Sequence, residues 1–275
     1  MVEAIWRYPV KSALGEALSS VRIGTEGPEG DRGWACLSAD GAVVSAKHPR
    51  RWGKLLQVSA AWRRSGETAE VALRVPGFDP LVAGSAEADR VLSTWLGDAV
   101  RLTNVVPADA RLHRLWPAEP GMIPDWAAAA PGTEAVTGVP GAHPGGRFVD
   151  FGALHVVTTA GLRHLEAQGV DADARRFRPN LVLSLDRAPA PGDVLRVGAE
   201  VTLRCLLPTP RCAIPGAAHG ELAPAPQLLR ALGRERIELP GRGRAAAFGF
   251  YAEVLTTGTI AVGDTSTPDH EHSAE

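Results

Sequence analysis

Val194-Leu195-Arg196-Val197-Gly198-Ala199-Glu200-Val201-Thr202-Leu203-Arg204-Cys205-Leu206-Leu207 runs directly into Pro208-Thr209-Pro210-Arg211-Cys212. The apolar runs on either side of Gly198-Ala199 read as a β-hairpin. Two prolines then stiffen a short loop, because each fixes φ and offers no ladder donor. The side chains of Arg211 and Cys212 therefore have a fixed aim. Arg211 beside Cys212 favours the thiolate, the form that ligates metals and attacks electrophiles. A small buried thiol is the competing reading of any lone cysteine, and the stiff loop with its neighbouring cation brings the two level.

Outward from this hairpin, strands dominate. Residues 2–8, Trp34 to Ser38, Val43 to Ser45, Leu55 to Val58, Val71 to Val75 and Val100 to Val106 read as strands, with Asp40-Gly41 as a hairpin turn. One helix is expected after Ser85 as N-cap, with Val91, Leu92, Trp95 and Leu96 inward and Gly97 as its stop. Later, Leu154 to Val157 and Asn180 to Leu185 are strands around a helix that starts near Thr159. A helix over 226–232 stops at Gly233. Ala246 to Leu255 and Thr259 to Val262 read as a last hairpin through Thr257-Gly258. Residues 107–147 are rich in Pro and Gly without a persistent period, so a long loop is expected there. The sequence predicts an α+β, predominantly β architecture of a β-barrel kind. Its expected divisions are a β-rich unit over 1–107, a connecting loop over 108–147, a second β-rich domain over 148–265 and a disordered tail over 266–275.

Composition narrows the function classes. The 275 residues are 45% hydrophobic, ample for a large core, and no apolar run approaches the roughly 20 residues that cross a bilayer. A soluble, cytoplasmic protein is expected. Net charge is −2, so no global field recruits nucleic acid or an anionic membrane, and any anion must meet a local cluster. Cys36, Cys205 and Cys212 are too few for a disulfide framework, and without a CxxC they argue against structural zinc. Cys36 and Cys205 sit in apolar strands and read as core.

Three further segments carry chemistry. Arg175-Arg176-Phe177-Arg178-Pro179-Asn180 places forked donors and an amide where a strand begins, suited to phosphate and to the edge of a heterocycle. A solvated basic face is the competing reading. Tyr8-Pro9-Val10-Lys11-Ser12 puts Lys11 and Ser12 on a proline-bent turn, where they either donate to a phosphate or are ordinary surface groups. Gly30-Asp31-Arg32-Gly33 is a plain turn unless Arg32 converges on the same anion.

Taken in order, Tyr8 to Ser12, Gly30 to Arg32, Val44 to Arg50, Arg176 to Asn180, Pro210-Arg211-Cys212, Phe248-Gly249-Phe250-Tyr251 and Gly258 to Asp264 resemble the MOSC (molybdenum cofactor sulfurase C-terminal) family with its N-terminal β-barrel domain. The resemblance spans about residues 2–264 and is similar in kind to the mitochondrial amidoxime-reducing component and its bacterial relatives. It implies a MOSC β-barrel domain packed with a smaller N-terminal domain, and the molybdenum cofactor, a molybdopterin, held through a catalytic, metal-ligating Cys212. It also implies Lys11, Ser12 and Arg32 at the pterin phosphate, Arg178 and Asn180 on the pterin, and Arg211 and Tyr251 along the pocket. Two departures stand out. Phe151 and Gly152 replace small hydroxylated residues of relatives, and Ala213-Ile214-Pro215-Gly216 replaces a Thr-Thr-Val-Asp-Pro stretch. His219 and Glu221 lie nearby, either as pocket groups or as polar loop residues, and read better as the latter, and the 113–147 stretch is placed to cover the site.

The expected activity is reduction of a small N-oxygenated substrate at molybdenum. No GxGxxG, Walker loop or iron–sulfur cysteine set is present, so electrons are expected from a separate donor protein. Two other readings share the fold: a sulfur carrier through a Cys212 persulfide, and a non-catalytic cofactor carrier.

Overall fold

The computed structural model describes residues 1–65 and 68–269. The N-terminal part runs β1 (Val2–Arg7), β2 (Glu16–Leu18), β3 (Ser20–Gly24), β4 (Gly27–Pro28), β5 (Ala35–Ser38), α1 (Pro49–Trp52), β6 (Ser59–Ser65), β7 (Thr68–Arg74), β8 (Leu81–Val82), α2 (Ala86–Leu96) and β9 (Val100–Thr103). An antiparallel pair follows, β10 (Arg111–Leu115) with β11 (Glu134–Gly138). The C-terminal part is β12 (Leu154–Thr158), α3 (Thr159–Glu166), β13 (Leu181–Leu183), β14 (Val194–Val197), β15 (Val201–Pro210), α4 (Pro226–Arg234), β16 (Arg236–Leu239), β17 (Gly243–Thr256), β18 (Gly258–Ala261) and β19 (Ser266–Pro268). The fold is α+β and strand-dominated. Among the described residues no helix is long and apolar enough to cross a membrane.

A nine-stranded sheet runs β19-β14-β15-β17-β12-β13-β1-β2, with β16 beside β17. β12 and β13 are parallel, so a crossover must join them, and α3 lies in it. All five residues of β12 are buried, as befits a strand covered on both faces. β1 pairs antiparallel with β13, Ile5 opposite Leu181. A second sheet runs β18-β3-β4. Val21, Ile23 and Ile260 from it share one core with Ile5, Val156, Leu203 and Phe250. The division expected at 107 thus follows chain order, whereas β1 to β4 build onto C-terminal strands.

A separate core gathers Trp52, Leu55, Val71, Leu73, Val91, Leu92 and Leu102. Each such side chain contributes about 1.5–3 kcal/mol by leaving water. α2 forms as its sequence predicts: Ser85 Oγ accepts from the Ala88 N–H at 3.1 Å, and Gly97 ends the helix at φ 69°. The 107–147 segment packs rather than floats. Leu112 and Val139 are buried with Ala35, Val43, Val106 and Phe148. A Cβ on Gly121 would stand 2.1 Å from the Gly233 carbonyl oxygen, so the segment meets α4 backbone to backbone.

Several local expectations are corrected. Leu55 to Val58 is a 3-10 turn over Gly53–Gln57, not a strand. Val43 forms only isolated bridges, to Leu37 and Leu112. The long loop contains β10 and β11. The last two apolar runs are not a hairpin, because β18 leaves β17 and pairs with β3. β2, β3, β4, β6, β8 and β16 have no counterpart among the expected strands, and α4 runs through Gly233 to Arg234. Of the expected tail, Ser266–Pro268 pairs with β14, while residues 270–275 lie outside the described residues.

Candidate active site

One cavity of about 240 Å³ collects the residues singled out in the sequence. Lys11 and Ser12 enter from the turn after β1, and Arg32 from the turn after β4. Arg178 and Asn180 come from the approach to β13, Arg211 and Cys212 from the end of β15, and Tyr251 from β17. All eight line this cavity. The 107–147 segment supplies another wall through Leu115, Trp116, Pro124 and Trp126.

The backbone is strained where it meets the cavity. Among the described residues, Ser12, Arg32 and Arg178 are the non-glycine positions with positive φ, at 65°, 49° and 56°. Each costs on the order of 1–2 kcal/mol, a cost that surrounding structure must overcome. Hydrogen bonds from Arg32 N–H to the Tyr8 carbonyl (2.7 Å) and from Arg178 N–H to the Arg175 carbonyl (3.1 Å) hold two of them.

Arg32 pairs with Asp31 and donates to Asn180 Oδ1 (3.3 Å) and to the Arg178 carbonyl (3.1 Å). The Asn180 amide is itself taken up by backbone: Nδ2 donates to the Trp6 carbonyl at 3.3 Å and Oδ1 accepts from His155 N–H at 3.1 Å. It ties β1 to β12. Arg178 donates through Nη1 to the Ala13 carbonyl at 2.5 Å and lies 4.3 Å over the Tyr8 ring. Burial pushes its pKa down to about 10.

Lys11 Nζ donates to the Phe148 carbonyl and to Asp150, both at 2.8 Å, and Lys47 reaches the same carboxylate oxygen at 2.9 Å. Burial pushes Lys11 down to about 8. Against the upward push of burial, the two lysines hold Asp150 well below the usual carboxylate range. Arg211 donates to the Phe177 carbonyl at 3.1 Å, and its Nη1 lies 3.3 Å from His155 Nε2. Burial, with Arg211 and Arg32 nearby, holds His155 well below its usual pKa and therefore neutral. Against Lys11, Lys47, Arg32, Arg178 and Arg211, with Arg114 and Arg242 also in the wall, the described lining sets one carboxylate, Asp150. The cavity is built for an anion.

Cys212 is half-buried in the cavity wall against Ala46, Leu56, Ile214 and Ala217. Cys36 and Cys205 are buried away from it, and burial pushes both thiols up to about 12. The sequence reading missed His155, Lys47 and Asp150. A signal for His155 lies in Phe248-Gly249-Phe250-Tyr251: a Cβ on Gly249 (φ 71°) would stand 2.7 Å from His155 Nε2. The glycine leaves room for the imidazole. His219, read as a polar loop residue, is 3% exposed, and the neighbouring Gly220 N–H donates to the Leu56 carbonyl at 2.8 Å. Glu221 is exposed and pairs with Arg175.

This fold and this cavity accord with a protein class. Residues 145–267 match the MOSC domain and residues 1–103 the MOSC N-terminal beta barrel domain. The chain belongs to the MOSC family, a family associated with the molybdenum cofactor. Among solved structures it is similar to the YuaD protein from Bacillus subtilis, with 13% identity over 96% of this chain and 92% of that one, at a TM-score of 0.43. It is also similar to YiiM from Geobacillus stearothermophilus, with 18% identity over 57% of this chain and 75% of that one, at a TM-score of 0.32. No curated protein matches the sequence.

Proposed function

We propose that the protein binds the molybdenum cofactor with the Cys212 thiolate as protein ligand, and reduces small N-oxygenated substrates with electrons from a separate redox protein. The observation that carries this reading is the convergence of seven lysines and arginines and one thiol on a single cavity. The residues present fit such a group. Arg178 Nη2, Arg211 Nε and Thr209 Oγ1 are buried without a hydrogen-bond partner, and all three residues line the cavity. Among the described residues no cluster of three or more His, Cys, Asp or Glu could cage a metal. A metal at Cys212 would therefore arrive already held by the pterin.

When bound, the cofactor supplies the redox chemistry. The chain's own residues bind and orient. Ser12, Lys11, Lys47 and Arg32 would hold the cofactor's phosphate, with Asp150 keeping both ammonium groups in place. Arg178 offers its free N–H to the pterin, while Asn180 acts by fixing Arg32 and the β1–β12 junction. Burial raises the Tyr251 phenol well above its usual pKa, so it remains a donor. Neutral His155 accepts from Arg211 and keeps that guanidinium aimed beside Cys212.

The test is molybdenum and pterin content per chain after purification from cells that make the cofactor, with Cys212→Ser alongside. Near-stoichiometric metal in the wild type and its loss in the variant are expected. A wild type with neither molybdenum nor pterin overturns the reading, and sulfane sulfur on Cys212 without metal would favour the persulfide carrier instead.

A further inference from the structure

A second cavity, of about 250 Å³, shares Arg178 with the first and is otherwise lined by different residues, Tyr8 and His219 among them. Leu14 and Leu222 give it apolar flanks, and the Arg175–Glu221 ion pair (2.7 Å) borders it. Tyr8, Arg178 and His219 are 3%, 7% and 3% exposed. Each carries a buried hydrogen-bonding atom with no partner among the described residues: Tyr8 Oη, Arg178 Nη2 and His219 Nε2. Buried polar atoms are rarely left so, and three on one cavity call for something to meet them.

Their chemistry specifies what. His219 Nδ1 lies 3.0 Å from the Ala217 carbonyl, which only accepts, so Nδ1 carries the hydrogen. Burial pushes the His219 pKa down to about 4, so the ring is neutral and Nε2 presents a lone pair. Arg178 presents an N–H and a charge, with no carboxylate bonded to it among the described residues. Tyr8 Oη donates or accepts. An alcohol would leave the charge unanswered, and a bare oxyanion such as nitrate would leave His219 unanswered.

We infer that this cavity binds a small oxyanion carrying one proton, of the hydrogencarbonate type, accepting from Arg178 and Tyr8 and donating to His219 Nε2. Ordered water fills the remaining volume. The inference shares Arg178 with the cofactor reading, and Nη2 carries two hydrogens, one available to each cavity, so it does not require the cofactor to be bound.

The probe is hydrogencarbonate against nitrate, two trigonal monoanions that differ in the O–H. Both are titrated calorimetrically into the full chain at pH 8 in degassed buffer free of other oxyanions. Saturable one-to-one binding of hydrogencarbonate, at least about tenfold tighter than nitrate, is expected. Tyr8→Phe, which removes only the hydroxyl, and His219→Phe should each weaken it about tenfold, while Ser85→Ala, at the N-cap of α2 and in neither cavity lining, leaves it unchanged. The inference is overturned if no saturable binding is seen, if nitrate binds equally well, or if Tyr8→Phe and His219→Phe bind as the wild type does.

Discussion

Gly249 and His155 show how a single missing methyl group can shape a site. A Cβ at Gly249 would meet the Val156 carbonyl oxygen at 2.5 Å as well as the imidazole, at a φ that side chains disfavour. Gly249→Ala should therefore cost about 1–3 kcal/mol in denaturant unfolding. It should also lower cofactor content, because the imidazole that supports Arg211 is displaced. His155 and His219 are neutral in the fold, with pKa values well below the ordinary 6.5 and about 4. The unfolded chain takes up a proton on each as pH falls through 6.5, and the folded chain does not. Their stabilisation is complete above pH 6.5 and is lost as pH drops from there towards 4. Unfolding free energy measured across that window should fall with decreasing pH, and His219→Phe should flatten the slope by up to one proton. At this scale the sequence was informative where prolines fixed side chains, as at Arg178 and Cys212. It was silent on Asp150, which matters only because Lys11 and Lys47 reach it across the fold, and on the burial of His219, whose neighbour Gly220 is tied to the distant Leu56 carbonyl.

Elements with local signals are the ones the sequence describes well. α2 has an N-cap serine, an apolar stripe and a terminal glycine, all within thirteen residues of chain. Ser85→Ala should cost about 1 kcal/mol by thermal or chemical denaturation, with cofactor content unchanged because the helix is remote from the cavity. Elements decided by distant partners read poorly. Thr257-Gly258 looks like a hairpin turn, yet β18 pairs with β3, more than two hundred residues earlier in the chain. Leu55 and Leu56 have strand-like side chains but follow α1 into a 3-10 turn, where they bury into two different clusters. The Pro/Gly-rich segment hides β10 and β11 because their burial alternates weakly and their register depends on each other.

Across the whole molecule, the 107–147 segment links the cavity wall to α4. Gly121→Ala would press a methyl into the Gly233 carbonyl at a φ of 79°. Limited proteolysis of that variant should cut within 117–133 faster than in the wild type, while β1 to β9 remain protected. The other long-range tie is β1. Removing residues 1–7 should cost far more than an exposed terminus would, since Val2 and Ile5 are fully buried and β13 loses its antiparallel neighbour. Unfolding of such a truncation should show a lowered midpoint, or no cooperative transition at all. The sequence could not show this, because a strand's partner is set by tertiary context. The same pairing has a consequence for synthesis. Ile5 leaves the ribosome some 176 residues before Leu181, roughly 10–35 s at ordinary elongation rates. Through that interval β1 has only β2 beside it and Val21 and Ile23 to cover its buried face. The nascent chain must carry its opening strand as unfinished work, exposed to chaperones, until the second half of the protein arrives to receive it.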